Sequence, residues 1–257
     1  LDTIGQPILP GTDITLSPDG SRIAVSAVPS PDRRESMMWI YDMERETLAQ
    51  SAMDEAIHLT WSPNGDSLVY SSDSKLMIQA ADGSGTAQPI ETTDGDEAFG
   101  PQWSHDGEVL VYYAYMSSET ERDIWMLPMT DGRTPREVLQ APGNQFMPTL
   151  SPDGQYMAYI SDETGRNEVY VARFPAGQGR MQVSVNGGLA PRWVANELFY
   201  EENGRLMVMA VDTRGGFRMA PSRPLFNTRQ TDFLQNNPVS RFYDVTPDGQ
   251  RLVMLQP

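Results

Sequence analysis

An all-β propeller of six four-stranded antiparallel blades is the fold class that this sequence predicts, and three observations predict it. A short motif recurs along nearly the whole chain: an apolar residue, Ser or Thr, Pro, Asp or Asn, then Gly. Each copy is followed by an apolar, β-rich run. The copies recur at the length of one propeller blade.

The motif reads Leu16-Ser17-Pro18-Asp19-Gly20, Trp61-Ser62-Pro63-Asn64-Gly65, Trp103-Ser104-His105-Asp106-Gly107, Leu150-Ser151-Pro152-Asp153-Gly154 and Val245-Thr246-Pro247-Asp248-Gly249. A degenerate copy sits at Pro191-Arg192-Trp193, where the turn contracts to Val194-Ala195-Asn196. From Ser17 the anchors fall 45, 42, 47, about 43 and about 52 residues apart. Proline presets φ, Asp or Asn accepts nearby amides and glycine takes positive φ, so each copy reverses the chain between two strands.

Second strands of the blades follow at 22–26, 67–71, 109–113 and 156–160, and third strands at 38–42, 123–127, 168–172 and 206–210. Fourth strands are shorter and more polar, as outer edges should be. The last blade begins near 241–245 and 251–255, and the chain ends at Pro257. The segment Gly5-Gln6-Pro7-Ile8-Leu9 is similar to Ser222-Arg223-Pro224-Leu225-Phe226, which ends blade five. The expected closure therefore has N- and C-terminal strands sharing blade six, the N-terminus supplying its outer strand and its third strand left unaccounted for. Residues 1–257 form a single domain, expected to be a piece of a longer parent.

Composition narrows the function classes. Hydrophobic residues at 39% support a sizeable core, and charged residues at 21% are too few for a disordered chain. No apolar run is long enough to span a bilayer, so direct membrane insertion is not expected. The net charge of −16 repels phosphate backbones, which argues against nucleic acid and favours a cation or basic partner. With no cysteine and two histidines, His58 and His105, neither thiolate nor multi-histidine metal sites can form.

The motifs resemble the TolB-like (WD40-like) propeller repeat. Within that family, Tyr159-Ile160-Ser161-Asp162-Glu163-Thr164-Gly165-Arg166, Glu168-Val169-Tyr170-Val171, Asn186-Gly187-Gly188, Pro191-Arg192-Trp193 and Pro224-Leu225-Phe226 resemble one bacterial branch. That branch comprises propellers attached to serine/threonine protein kinases and winged-helix regulators. The resemblance implies a protein-interaction platform, an extracytoplasmic or periplasmic setting in a bacterium, and no catalytic residue. An extracytoplasmic sensor domain of such a kinase is an alternative reading. So is a hydrolase or lyase acting on carbohydrate or peptide, since propellers host such enzymes by loop variation.

No Gly-x-Ser-x-Gly elbow, phosphate loop or His-x-x-x-His is present. His105 reads as a surface turn residue, and His58, on an innermost strand, as a packing residue near the channel. Trp61, Trp103 and Trp193 share one repeat position and read as wedges between blades. The fifteen methionines read as core filler.

Strand order supplies the functional expectation. Loops joining strand four to the next strand one share a face with loops joining strands two and three, and the Ser-Pro-Asp-Gly turns lie opposite. Fifteen of the 35 acids map to that first face. Asp13, Asp54, Glu55, His58, Asp94, Asp96 and Glu97 are the candidate ligand or partner residues. The expected occupant of the channel mouth is a protein, peptide or small ligand, with calcium as the candidate ion. A monomeric domain is expected.

Overall fold

The computed structural model describes residues 13–27, 36–92, 97–115, 121–130, 132–228 and 238–255, with the backbone alone for 52–54. Among them every regular element is a strand. Blade one holds β1 (Asp13–Leu16), β2 (Arg22–Ala27), β3 (Met37–Asp42) and β4 (Thr47–Asp54). Blade two holds β5 (Ile57–Trp61), β6 (Ser67–Ser72), β7 (Lys75–Ala80) and β8 (Gln88–Ile90). In blade three are β9 (Glu97–Trp103), β10 (Val109–Tyr115), β11 (Arg122–Pro128) and β12 (Arg136–Leu139). Blade four comprises β13 (Gln145–Leu150), β14 (Tyr156–Ser161), β15 (Glu168–Arg173) and β16 (Met181–Gln182).

Blade five comprises β17 (Leu189–Val194), β18 (Glu197–Glu202) and β19 (Arg205–Asp212), with a fourth strand split into β20 (Arg218–Met219) and β21 (Arg223–Asn227). Both pieces pair with β19, β20 at Val211–Asp212 and β21 at Arg205–Val208. A two-stranded sheet, β22 (Tyr243–Val245) with β23 (Leu252–Met254), completes the described elements.

The inner strands β1, β5, β9, β13, β17 and β22 each contact the next, and β22 returns to β1. The expectation of six four-stranded blades, the last short of its third strand, is thereby corrected. Five sheets are complete, and the sixth position around the ring is held by the β22–β23 pair alone among the described residues. The N-terminal strand expected at residues 5–9 lies outside them.

Packing explains why the second strands are nearly all apolar. The hydrophobic clusters lie between adjacent blades, as where Val111 and Met126 of blade three meet Leu150 and Tyr159 of blade four. Both faces of a blade are therefore buried, and β14 is buried at all six positions. Trp61 acts as the wedge expected of it. Its indole N–H donates to the Thr15 carbonyl at 3.3 Å, and the Arg22 guanidinium sits 4.6 Å over its ring. Trp193 lies in one hydrophobic cluster with Tyr156 of blade four, and both rings meet Phe217.

Each Ser-x-Asp-Gly turn is one hydrogen-bonded unit. Ser17 Oγ donates to Asp19 Oδ1 at 2.6 Å and accepts the Arg22 amide at 2.9 Å, while the Gly20 amide donates to the Ser17 carbonyl. The pattern repeats at Ser62, Ser104, Ser151 and Thr246. Neighbouring turns also nest. A Cβ on Gly65 would lie 3.7 Å from Pro18, one on Gly107 3.5 Å from Pro63, and one on Gly20 3.9 Å from Pro247.

The inner strands share a second device. Each of β5, β9, β13 and β17 shifts register against its partner, and the residue at the shift has positive φ: His58 (54°), Gly100 (60°), Met147 (53°) and Ala190 (48°). This repeated bulge bends each inner strand where it approaches the axis.

Candidate binding face

The two loop sets assigned to one face are bonded to each other. Ser26 and Ser36 donate to the Ala56 carbonyl, Asn144 donates through its amide and side chain to Asp162, and Asn203 donates to the Asn186 carbonyl. Part of the acidic charge expected there is tied up in hydrogen bonds and ion pairs. Asp162 takes both Asn144 donors at 2.7 Å, and Glu163 is paired with Arg180 at 2.7 Å. Glu201 is buried and accepts the Gly204 amide. Buried Glu168 accepts from Ser184, Arg166 and the Gly187 amide.

The candidate residues separate accordingly. Asp13 is buried, with Oδ2 accepting the His58 amide at 2.5 Å and Oδ1 the Arg241 amide at 2.6 Å. As a rim carboxylate it is corrected: backbone donors already occupy both of its oxygens. His58 is also buried, with its ring edge-on to Phe99 and Tyr113 at 6.1 Å. Burial holds its pKa below the ordinary value, against the opposing pull of Asp13, so it is a neutral packing residue. Glu55 and Glu97 are exposed, on the loop before β5 and at the start of β9. Asp54 ends β4, and its side chain, like Asp94 and Asp96 entirely, lies outside the described residues. Among the described residues no three His, Cys, Asp or Glu side chains converge in a manner that could hold a metal ion.

The channel itself is built from residues outside the candidate set. Thr15, Thr60, Gln102, Thr149, Arg192 and Asp244 occupy one position, immediately before Leu16, Trp61, Trp103, Leu150, Trp193 and Val245. Arg192 donates to Gln102 Oε1 at 3.0 Å and pairs with Asp244 at 3.4 Å. Asp244 also accepts the Thr15 hydroxyl at 3.2 Å and the Leu16 amide at 2.9 Å. Arg241 crosses from the last sheet and donates to the carbonyls of Leu59 at 3.0 Å and Pro101 at 3.2 Å. Two buried arginines thus plug the ring between blades two, three, five and six.

Burial and the Arg192 charge push the Arg241 pKa down to about 9, against Asp13 and Asp244, so it remains a cation at neutral pH. The signal was present in the sequence as a fixed offset from each turn motif, but only ring closure brings these positions together. Arg122 stacks 4.9 Å over Tyr115 and 5.0 Å over Phe146, and its Nε donates to Tyr115 Oη at 2.6 Å. With Phe99 and Tyr113 these rings form an aromatic wall along blades three and four.

No protein-family model matches the chain. A Protein TolB homolog from Chlamydia abortus is 30% identical over 115 residues, 45% of this chain and 25% of the relative. The match thus spans about a quarter of that relative's length. Among solved structures, a putative TolB from Agrobacterium tumefaciens has a TM-score of 0.66 at 16% identity, covering 85% of this chain and 81% of that one. An oligogalacturonate lyase from Vibrio parahaemolyticus has a TM-score of 0.64 at 10% identity, covering 94% of this chain and 69% of that one. At such identities the structural likeness is one of fold.

Proposed function

We propose that this TolB-like β-propeller is a non-catalytic docking module that binds a protein or peptide on its acidic loop face, around the ring of inner strands. The observation that carries this reading is the plugged channel. Arg192, Arg241, Asp13 and Asp244 are spent on one another and on backbone groups, so the channel interior serves ring closure rather than chemistry. What faces solvent among the described residues is the rim, which carries the exposed Glu55 before β5 and the exposed Glu97 at the start of β9. Such a rim concentrates negative potential and speeds encounter with a basic partner.

The β22–β23 pair is read as the inner half of a sixth blade, and the TolB likeness supports an extracytoplasmic setting. The test is affinity capture on the immobilised chain, followed by binding measurements with the captured protein. Affinity should fall with added salt and in the triple variant Asp94→Asn, Asp96→Asn, Glu97→Gln. Wild-type affinity in that variant would remove the proposed face. A carbohydrate or peptide turned over by the chain, and spared by channel-rim substitutions, would replace docking with catalysis.

A further inference from the structure

The degenerate turn of blade five has a structural consequence on the opposite face. In blades one, two and three the turn glycine sits beside the proline of the preceding blade, closing the seam between them. Blade five has no such glycine, because its two inner strands are joined by the short turn at Ala195-Asn196, with Ala195 at φ 49°. Pro152 of blade four is therefore left without its cover. A groove of about 820 Å³ opens at this seam, lined by Pro152 and Asp153 on one side and by Trp193, Arg214, Arg218 and Met219 on the other.

Charge and exposure continue from the groove along the edge of the same blade. Residues 205–228 hold four arginines, Arg205, Arg214, Arg218 and Arg223, and one acid, Asp212, in a chain whose net charge is −16. Asp212 is paired with Arg214, whereas Arg205, Arg218 and Arg223 are exposed and in no ion pair among the described residues. Met219, Leu225 and Phe226 are 45%, 38% and 40% exposed, three of the five large apolar side chains exposed among the described residues. Beyond the groove, β21 is an outer edge that pairs only with β19 among the described residues, so its other side offers backbone donors and acceptors.

We propose that the groove and the β21 edge together dock an extended acidic segment of a partner protein. An apolar side chain of that segment would enter the groove beside Trp193 and Met219, and its carboxylates would meet Arg218 and Arg223. Strand addition would supply the main-chain bonds. The positive patch complements such a segment, while the acidic remainder of the surface repels it from other sites. This surface is distinct in face and in sign from the acidic rim.

The experiment is fluorescence anisotropy with two labelled dodecapeptides, one rich in Glu around a central Trp-Leu pair and the other with Lys at each Glu position. The acidic peptide should bind, and the basic peptide should not bind at this edge. Arg218→Glu with Arg223→Glu, both on the surface, should lower affinity roughly tenfold or more with an unchanged melting profile. Met219→Asp should weaken binding without altering the charge of the edge arginines. The triple variant of the acidic rim should leave it unchanged, which separates the two surfaces. Absent binding of the acidic peptide, or wild-type affinity for it in the double variant, would overturn the proposal, as would a loss of basic-peptide binding in the double variant equal to that of the acidic peptide. So would capture by phosphatidylserine vesicles that depends on Arg218 and Arg223 when peptide binding does not.

Discussion

Asp244 joins three neighbouring sheets through one carboxylate oxygen: it lies 3.4 Å from the Arg192 guanidinium, 2.9 Å from the Leu16 amide and 3.2 Å from the Thr15 hydroxyl. The pair is buried, so its desolvation is offset only while every member is present. Asp244→Ala should cost about 3 to 5 kcal/mol in denaturant titrations, because it strands a buried cation. Replacing both partners with apolar residues of similar size should recover much of that loss. A full loss in the double variant would show that the pair contributes more than mutual compensation.

His58 makes stability depend on pH in a defined window. Its folded pKa lies below 6.5 because of burial, so the unfolded chain binds the proton first as pH falls. Stability is thus full above about pH 6.5 and declines below it, and His58→Gln should flatten that decline in titrations compared at about pH 7.5 and about pH 5. The turn carboxylates act lower. Hydrogen bonds from Ser17 and Ser21 hold Asp19 down to about 2, so its contribution is present above 3.8 and lost as pH falls towards 2. Buried Glu201 works oppositely: its pKa is raised from 4.5, so its contribution is lost as pH rises through the raised value.

His105 stands where four other turns have Pro18, Pro63, Pro152 and Pro247. It is exposed, and nothing lies within 4 Å of a Cβ built on Gly154 in the next blade. His105→Pro should stabilise the chain by about 0.4 to 1 kcal/mol, because it restricts the unfolded state at a position already shaped for proline. A lower denaturation midpoint would show that the blade-three turn differs from its equivalents.

Gly100 supports the inner-strand bulge of blade three. At φ 60°, a Cβ there would lie 2.5 Å from Tyr113 Cε1, and Tyr113 is itself buried and stacked on Phe99. Gly100→Ala should cost about 2 to 4 kcal/mol through overpacking and backbone strain. Ala190→Gly, at the equivalent bulge of blade five, should fall within about 1 kcal/mol of wild type by the same assay.

The blades were legible because their information is local. Ser17, Asp19 and Gly20 form their turn within five residues, and the apolar runs after each turn are buried on both faces by neighbouring sheets. The sharing of one face by two loop sets followed from strand order alone. The sixth position was legible as a turn and two strands, but not as a complete blade.

The role of the acids was not legible, because exposure was inferred from loop position. Asp13 and Glu201 lie in or beside loops, yet each is buried where converging chain segments leave amides in need of acceptors. The repeat, its turns and the order of strands are therefore written in the sequence, all set by contacts among near neighbours. What fills the channel depends on ring closure. Asp13 and Arg241 lie 228 positions apart, and no local pattern links them until the ring closes and one caps the backbone of the other.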